Sequence, residues 1–443
     1  MADRGDLLAR LPEPAAVAWV HRGEGLVGWG EAARITIPAG QDRFTAGEKW
    51  LRALLDGTYV SDQVGVPGSG LVAFGSFTFD AASEGSVLVV PRAVLGRGGG
   101  RAWFTTIGDG SDPLEPEAYR ASVVPEARES NVMPEARINS TVRWHDGSLA
   151  APRWERAVAA AVARIRAGGH DGLRKVVLAR DIYATAADVI DVRVLLRRLA
   201  ARYPDCNTFA CAGLVGATPE LLIRRQGGEI SALVLAGTTP RGGDPAEDAA
   251  LGTEILGSAK NAEEHEYAVA SVRDVLGPLC DVLDVDSSPF LLRLANVQHL
   301  ATSVKGCLRS AADRSALALA AALHPTAAVC GTPTDTAMEA IRELEGMDRG
   351  RYAGPVGWVD GQGNGEWGIA LRCAEVDGRR ARLFAGCGIV AGSDPAAELA
   401  EAQTKFRPMQ YALDGLPGGP RAGRSLARLR RPQCRRTLGS TTA

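Results

Sequence analysis

Metal-binding cysteine spacing is absent from this chain. Its eight cysteines, Cys206, Cys211, Cys280, Cys307, Cys330, Cys373, Cys387 and Cys434, include no Cys-X-X-Cys pair and no partnered histidine at a spacing that suits zinc. Most sit in apolar runs such as AAVCG and ALRCAEV, where a free thiol packs as a small hydrophobe, and this points to a reducing compartment. Long hydrophobic runs are missing as well. No stretch approaches about 18 uninterrupted apolar residues, and the opening MADRGDLLARLPEPAAVAWV has neither the basic start nor the apolar segment of an export signal. The expected location is cytoplasmic, with no membrane partner.

The body of the chain also lacks basic charge. The formal net charge is −2, yet the segment after Asp414 holds seven arginines and no acid; taking those seven from the total leaves −9 for residues 1–414. A mildly acidic body argues against nucleic acid as the main partner, because phosphate binding needs a basic face on the folded part. No internal repeat is present. Only the tail from about 415 is of low complexity, and residues 413–443 are expected to form a disordered, arginine-rich extension.

What the 443 residues do contain is an ordinary globular composition, 46% apolar and 23% charged. Residues 1–150 read as a β-rich subdomain of short apolar runs such as AVAWV, GLVAFGSFTF, SVLVVPRAVL and RAWFTTIG, bounded by Gly, Pro or Asp. A polar, proline-bearing connection covers 125–148. From 151 to 412 helical patterns such as RWERAVAAAVARIRAG alternate with strands such as KVVLARDIYAT and GEISALVLAG. GPVGWVD and WGIALRCAEV flank GQGNGE as a hairpin would, so the sheets should be mostly antiparallel and the fold class α+β. GQGNGEWG loosely fits a dinucleotide pattern, but it joins strand to strand and lacks the helix N-terminus a phosphate cradle needs.

Charged residues inside apolar surroundings are the candidates for chemistry. In the helix that follows SDP, Glu398, Glu401 and Lys405 share one face; a solvated stripe with a Glu401–Lys405 ion pair would explain them equally well. Glu264, in SAKNAEEHEYAVASVRDVL, lines up with the small residues Ala268 and Ser271, so its carboxylate can approach another element closely. If the two helices face each other, three carboxylates converge and a hard cation such as Mg²⁺ would relieve their repulsion. Lys175 and Glu220 stand at strand ends, where charge is usually solvated. His299 and Arg372 lie in apolar runs and must each find a partner, a structural ion pair included. The glycines at 386 and 388 mark either a bulge or close approach of a ligand.

In order, KVVLAR, GATPELL, LAGTTPRG, SAKNAEEHE, VQHLATSVKG, LHPTAAVCGTPTDTAMEAIRELE, GPVGWVDGQGNGEWGIALRCAEV and GCGIVAGSDPAAELAEAQTK closely resemble the chorismate-utilising enzymes, the family of isochorismate, salicylate, anthranilate and aminodeoxychorismate synthases. The likeness runs from about 151 to 410 and is loose before that. It implies a single unit with the anthranilate synthase component I-like fold and a cleft between sheet and helices. It further implies that Glu264 and Glu401 ligate Mg²⁺ directly, that Glu398 assists through water, and that Lys405 meets a substrate carboxylate. Arg372, Tyr352 and the Gly386 backbone resemble the clamp on the enolpyruvyl carboxylate, Gly237 and Thr238 the loop beside the ring carboxylate, and His299 the family's substrate-orienting histidine. Asn261 departs from the Asp or Glu of many relatives, which bears on metal affinity.

Within the family, Lys175 occupies the position where water-using members carry a lysine base, and Glu220 would be the acid for the departing 4-hydroxyl. Ala236 stands where aminodeoxychorismate enzymes commonly place a nucleophilic lysine. Ala328, in HPTAAVCG, resembles the isochorismate group rather than the threonine-bearing salicylate and anthranilate relatives. The resemblance therefore implies an isochorismate synthase that needs Mg²⁺, interconverts chorismate and isochorismate, acts as a monomer and has no glutamine amidotransferase subunit. Salicylate synthase is the alternative, then anthranilate or aminodeoxychorismate synthase, and a chorismate-binding sensor is the non-enzymatic contrast.

Overall fold

The computed structural model describes residues 6–12, 16–108, 142–168, 172–310 and 314–415. The arginine-rich tail and most of the connection expected at 125–148 lie outside them. Two sheets, of 11 and 10 strands, form the body, and every strand pairing is antiparallel. The α+β class expected from the sequence is the class observed. Trp19 of the first sheet reaches the second, its indole Nε1 donating to Glu366 Oε2 at 2.8 Å while its ring covers Gly368. A Cβ at Gly368 would lie 2.7 Å from that ring, so glycine there lets the sheets close on each other.

Both sheets cross the boundary at 150. Val17–His21 pairs with Asn207–Cys211 in the first, and Val72–Ser76 pairs with Pro355–Asp360 in the second. The GQGNGE hairpin forms as expected, joining Pro355–Asp360 to Gly365–Ile369. The run WGIALRCAEV, however, is two strands. Gly365–Ile369 belongs to the second sheet and Cys373–Asp377 to the first, so the chain crosses between layers at residues 370–372. Arg372 is at that crossing with φ 49, a left-handed backbone uncommon outside glycine.

Two helices carry the acidic residues singled out from the sequence. Ala259–Leu276 begins with Ser258 accepting from the Asn261 amide at 3.3 Å and buries Ala268, Val269, Val272 and Leu276. Pro395–Asp414 starts with Asp394 accepting from the Ala397 amide at 2.9 Å and Pro395 in the first turn. Gly415, at φ 71, closes it with a bond to the Tyr411 carbonyl. Among the described residues no helix is long and apolar enough to cross a membrane.

Candidate active site

A cavity opens where strands of both sheets meet these two helices, and nine of the twelve residues singled out from the sequence line it: Glu220, Gly237, Thr238, Glu264, His299, Tyr352, Arg372, Gly386 and Lys405. Lys175 ends against its wall. Glu398 and Glu401 lie on the helix that supplies Lys405.

Lys175 opens the strand Lys175–Thr185, which is paired on both sides, with Arg380–Ile389 along its length and with Gly331–Thr332 at its start. Lys175 itself pairs only with Thr332, yet it is fully buried, contrary to the solvated reading of a strand-end charge. Its Nζ donates to the Glu264 carbonyl at 3.3 Å and lies 3.6 Å from Glu264 Oε1. Burial pushes its proton affinity down, and the nearby carboxylates of Glu264 and Glu220 oppose that shift without overcoming it. Glu220 is buried as well. Burial drives its pKa up to about 8, against the stabilising Leu235 amide and the Lys175 charge. One amine biased to neutrality and one carboxyl biased to its protonated form thus share a wall.

His299 is held through both ring nitrogens. Arg372 Nη2 approaches Nε2 at 3.2 Å, and a guanidinium only donates, so Nε2 is the acceptor and Nδ1 carries the proton. Nδ1 then faces the Gly237 carbonyl at 3.3 Å and Thr238 Oγ1 at 3.1 Å. Burial, then Arg372 and Lys405, keep this imidazole neutral, with a pKa well below the usual value. The strand Glu229–Pro240 has a bulge between Ala236 and Thr238, with Gly237 at φ 79, and this turns the Gly237 carbonyl toward the histidine. Asn261 packs against Gly237, its Oδ1 3.2 Å from where a Cβ would sit. Arg372 makes no ion pair with a carboxylate among the described residues, so its guanidinium faces the cavity with a free charge.

Tyr352 stacks on Phe384 at 5.0 Å between ring centroids, and its hydroxyl would be 3.0 Å from a Cβ at 386. Gly386 therefore contributes space; its carbonyl is taken by Lys405 Nζ at 2.8 Å. Gly388 does the same for Glu264, since a Cβ there would stand 2.0 Å from Oε1. Glu398 and Glu401 come together, whereas Glu264 stands outside that group with Lys175 Nζ 3.6 Å from its Oε1. Glu264, Glu398 and Glu401 all act on the Lys260 ammonium, and ligand atoms of Glu398, Glu401 and Cys387 lie within 4.8 Å of one another. Burial, then Glu401, pushes Glu398 up. Burial likewise keeps the Cys387 thiol protonated, and its sulfur donates to the Glu398 carbonyl at 3.3 Å. The donor set left is carboxylate oxygen, which fits a hard cation such as Mg²⁺.

Two ammonium groups neutralise this acid cluster from within the chain. Lys405 lies 2.6 Å from Glu401 Oε1, and burial, which would lower its proton affinity, is outweighed by that carboxylate. Lys260 lies 2.6 Å from Glu398 Oε1. Sequence reasoning missed Lys260, although its place four residues before Glu264 on one helix was a usable signal. It also missed Arg349, which lines the cavity, and His265, whose Nδ1 lies 3.1 Å from the Ala236 carbonyl and whose Nε2 lies 2.7 Å from Thr302 Oγ1.

Residues 13–414 match the family described as "Chorismate binding enzyme". The chain is 44% identical over 252 residues to isochorismate synthase DhbC of Bacillus subtilis, a match covering 54% of this chain and 63% of that protein. It is 44% identical over 270 residues to the salicylate biosynthesis isochorismate synthase of Pseudomonas aeruginosa, covering 60% of this chain and 56% of that one. These matches thus span less than two thirds of either relative. The solved structure of MenF, the menaquinone-specific isochorismate synthase of Escherichia coli, superimposes with a TM-score of 0.75 at 27% identity, covering 93% of this chain and 92% of that chain.

Proposed function

The chain belongs to the chorismate binding enzymes, and from that premise we propose that it is an isochorismate synthase. The observation that carries the reading is a fully buried lysine, Lys175, lying 3.6 Å from Glu264 at the wall of a cavity that the buried Glu220 lines, with burial lowering the proton affinity of the amine and raising that of the carboxylate. Hydration of chorismate needs both at once. The neutral Lys175 amine removes a proton from water as its oxygen bonds to C2 of the ring. The ring double bonds shift and the C4–oxygen bond breaks. Glu220 hands its proton to the departing hydroxyl, which leaves as water. Lys175 ends protonated and Glu220 ionised, and the reverse reaction restores both, so one water enters, one leaves, and the conversion is reversible.

The rest of the site would bind and orient. Arg372, held by the neutral His299, offers an unpaired guanidinium to the enolpyruvyl carboxylate, with Tyr352 beside it. Glu264 and Glu401, with Glu398 behind them, would hold a Mg²⁺ ion whose charge neutralises the ring carboxylate. Ala236 puts a methyl group where an amine nucleophile would otherwise add to the ring, which supports water as the nucleophile. Ala328 lines the same cavity with a methyl group and no hydroxyl. We take the protein to act alone, without a glutamine amidotransferase. The relatives' names associate the activity with menaquinone and with salicylate biosynthesis, and the residues of the cavity do not distinguish these routes.

The test is to incubate the purified chain with chorismate and Mg²⁺, without ammonia or glutamine, and to resolve the products by chromatography. Isochorismate equilibrating with chorismate is expected. Stoichiometric salicylate and pyruvate would move the protein to salicylate synthesis, and untouched chorismate would overturn the enzymatic reading.

A further inference from the structure

The strand that begins with Lys175 has a gap along one edge. Arg380–Ile389 pairs with it on one side over residues 176–185. On the other side Gly331–Thr332 pairs with Lys175 and Val176, and Arg143–Asp146 pairs with residues 182–185. Between those two partners no strand among the described residues pairs with the edge, although the edge is buried. Buried backbone groups must still be satisfied, and here side chains do most of it. The Val177 amide reaches the Cys330 carbonyl at 2.7 Å, the Val177 carbonyl accepts from Arg349 Nη2 at 2.8 Å, and the Ala179 amide donates to Glu345 Oε1 at 2.7 Å. The Ala179 carbonyl accepts from Trp154 Nε1 at 3.0 Å.

Glu345 and Arg349 form an ion pair with both side chains at most 2% exposed. Arg349 Nη1 also donates to the Val329 carbonyl at 2.8 Å, and its guanidinium lies over the Phe79 ring at 4.1 Å. One planar cation thus bridges Val177, on the lysine strand, to Val329, on the turn that carries Ala328. Val177, Ala328, Val329 and Arg349 all line the cavity, and Val177 lies on the same face of its strand as Lys175.

We propose that Glu345 and Arg349 are positioning residues: their side chains replace a missing strand along the gap and hold Lys175 in register with the Ala328–Val329 wall of the cavity. A continuous strand there would occupy the place of that wall. The ion pair satisfies the same backbone groups with side chains and leaves the cavity open. The planar fork of arginine is needed because two carbonyls on different segments must be reached from one group; a lysine ammonium has no such fixed geometry. The inference rests on the reading of Lys175 as the base, since a misplaced base loses rate without losing substrate affinity.

A lone buried charge would by itself disrupt folding, so the test removes both partners together. Glu345→Gln with Arg349→Met eliminates both charges, keeps an acceptor for the Ala179 amide and takes away the bridge. The double variant should unfold within a few degrees of the parent, exchange the Val177 amide faster, and lose at least about tenfold in kcat with KM changed less than about threefold. Arg349→Lys should recover part of that kcat. Parental kcat in the folded double variant would overturn the proposal. If the double variant does not fold, parental kcat in Arg349→Lys overturns it and a fallen kcat with an unchanged KM upholds it. Should the parent itself fail to convert chorismate, the proposed function falls separately, and Val177 exchange in Arg349→Lys decides the inference: faster exchange upholds the bridge, unchanged exchange overturns it.

Discussion

Glu220 lines the cavity and Lys175 is buried against its wall, with proton affinities moved toward each other, and this predicts the pH response of the proposed reaction. kcat/KM should rise as Lys175 loses its proton and fall as Glu220 ionises around pH 8, giving a bell whose alkaline limb disappears in Glu220→Gln. That variant should also lose roughly 10²-fold or more in kcat. A pH profile without an alkaline limb in the parent would remove Glu220 from the acid role. Lys175→Ala should abolish hydration while chorismate, titrated calorimetrically with Mg²⁺, still binds; loss of binding would make the lysine a ligand and not a base. Glu401→Gln should raise the Mg²⁺ concentration needed for half-maximal activity at least about tenfold, and an unchanged titration would mean that the carboxylates do not act on a metal. The stability effect of Glu220 has a definite sign. Its folded pKa is raised, so its contribution is fully present below the unfolded value and is lost as pH rises through about 8. Glu220→Gln should therefore raise the unfolding midpoint at about pH 9 and leave it nearly unchanged at about pH 4.

Between helix and strand, the closest approach in the site is Glu264 over Gly388, where a Cβ would meet Oε1 at 2.0 Å and Lys175 Cε at 3.2 Å. Gly388→Ala should push the Glu264 carboxylate away and weaken Mg²⁺ binding, measured calorimetrically, by about tenfold or more, with the unfolding midpoint lowered only modestly. Equal metal affinity in that variant would mean that Glu264 yields without cost. The element scale also shows where sequence reading stops. Helical spacing alone put Glu398, Glu401 and Lys405 on one face, and that face points inward. Where that face lies relative to Glu264 depends on contacts across more than a hundred residues, which helical spacing does not encode. The burial of Lys175 is illegible because the strand paired with it, Gly331–Thr332, is just two residues long. WGIALRCAEV read as one strand because hydrophobic alternation does not register a change of sheet, and the left-handed turn at Arg372 carries no glycine to mark it.

For the whole molecule, the arrangement of the strands has a consequence for how the chain is made. Val72–Ser76 lies between Ser86–Val90 and Pro355–Asp360 in the second sheet, and Val17–His21 lies against Asn207–Cys211 in the first. Strands translated early therefore wait, one side open, for partners translated much later, Val17–His21 for a mid-chain strand and Val72–Ser76 for one in the last quarter of the chain. Closing such distant pairs is slow and leaves apolar edges exposed meanwhile. A nascent chain would pass most of its synthesis as a client for chaperones, with its sheets completed only after release of the last strands. Chains cut short before Pro355 should accordingly be recovered as aggregates or protease-sensitive fragments, whereas the full chain resists digestion; a soluble, protected fragment would show that the early strands fold without their late partners.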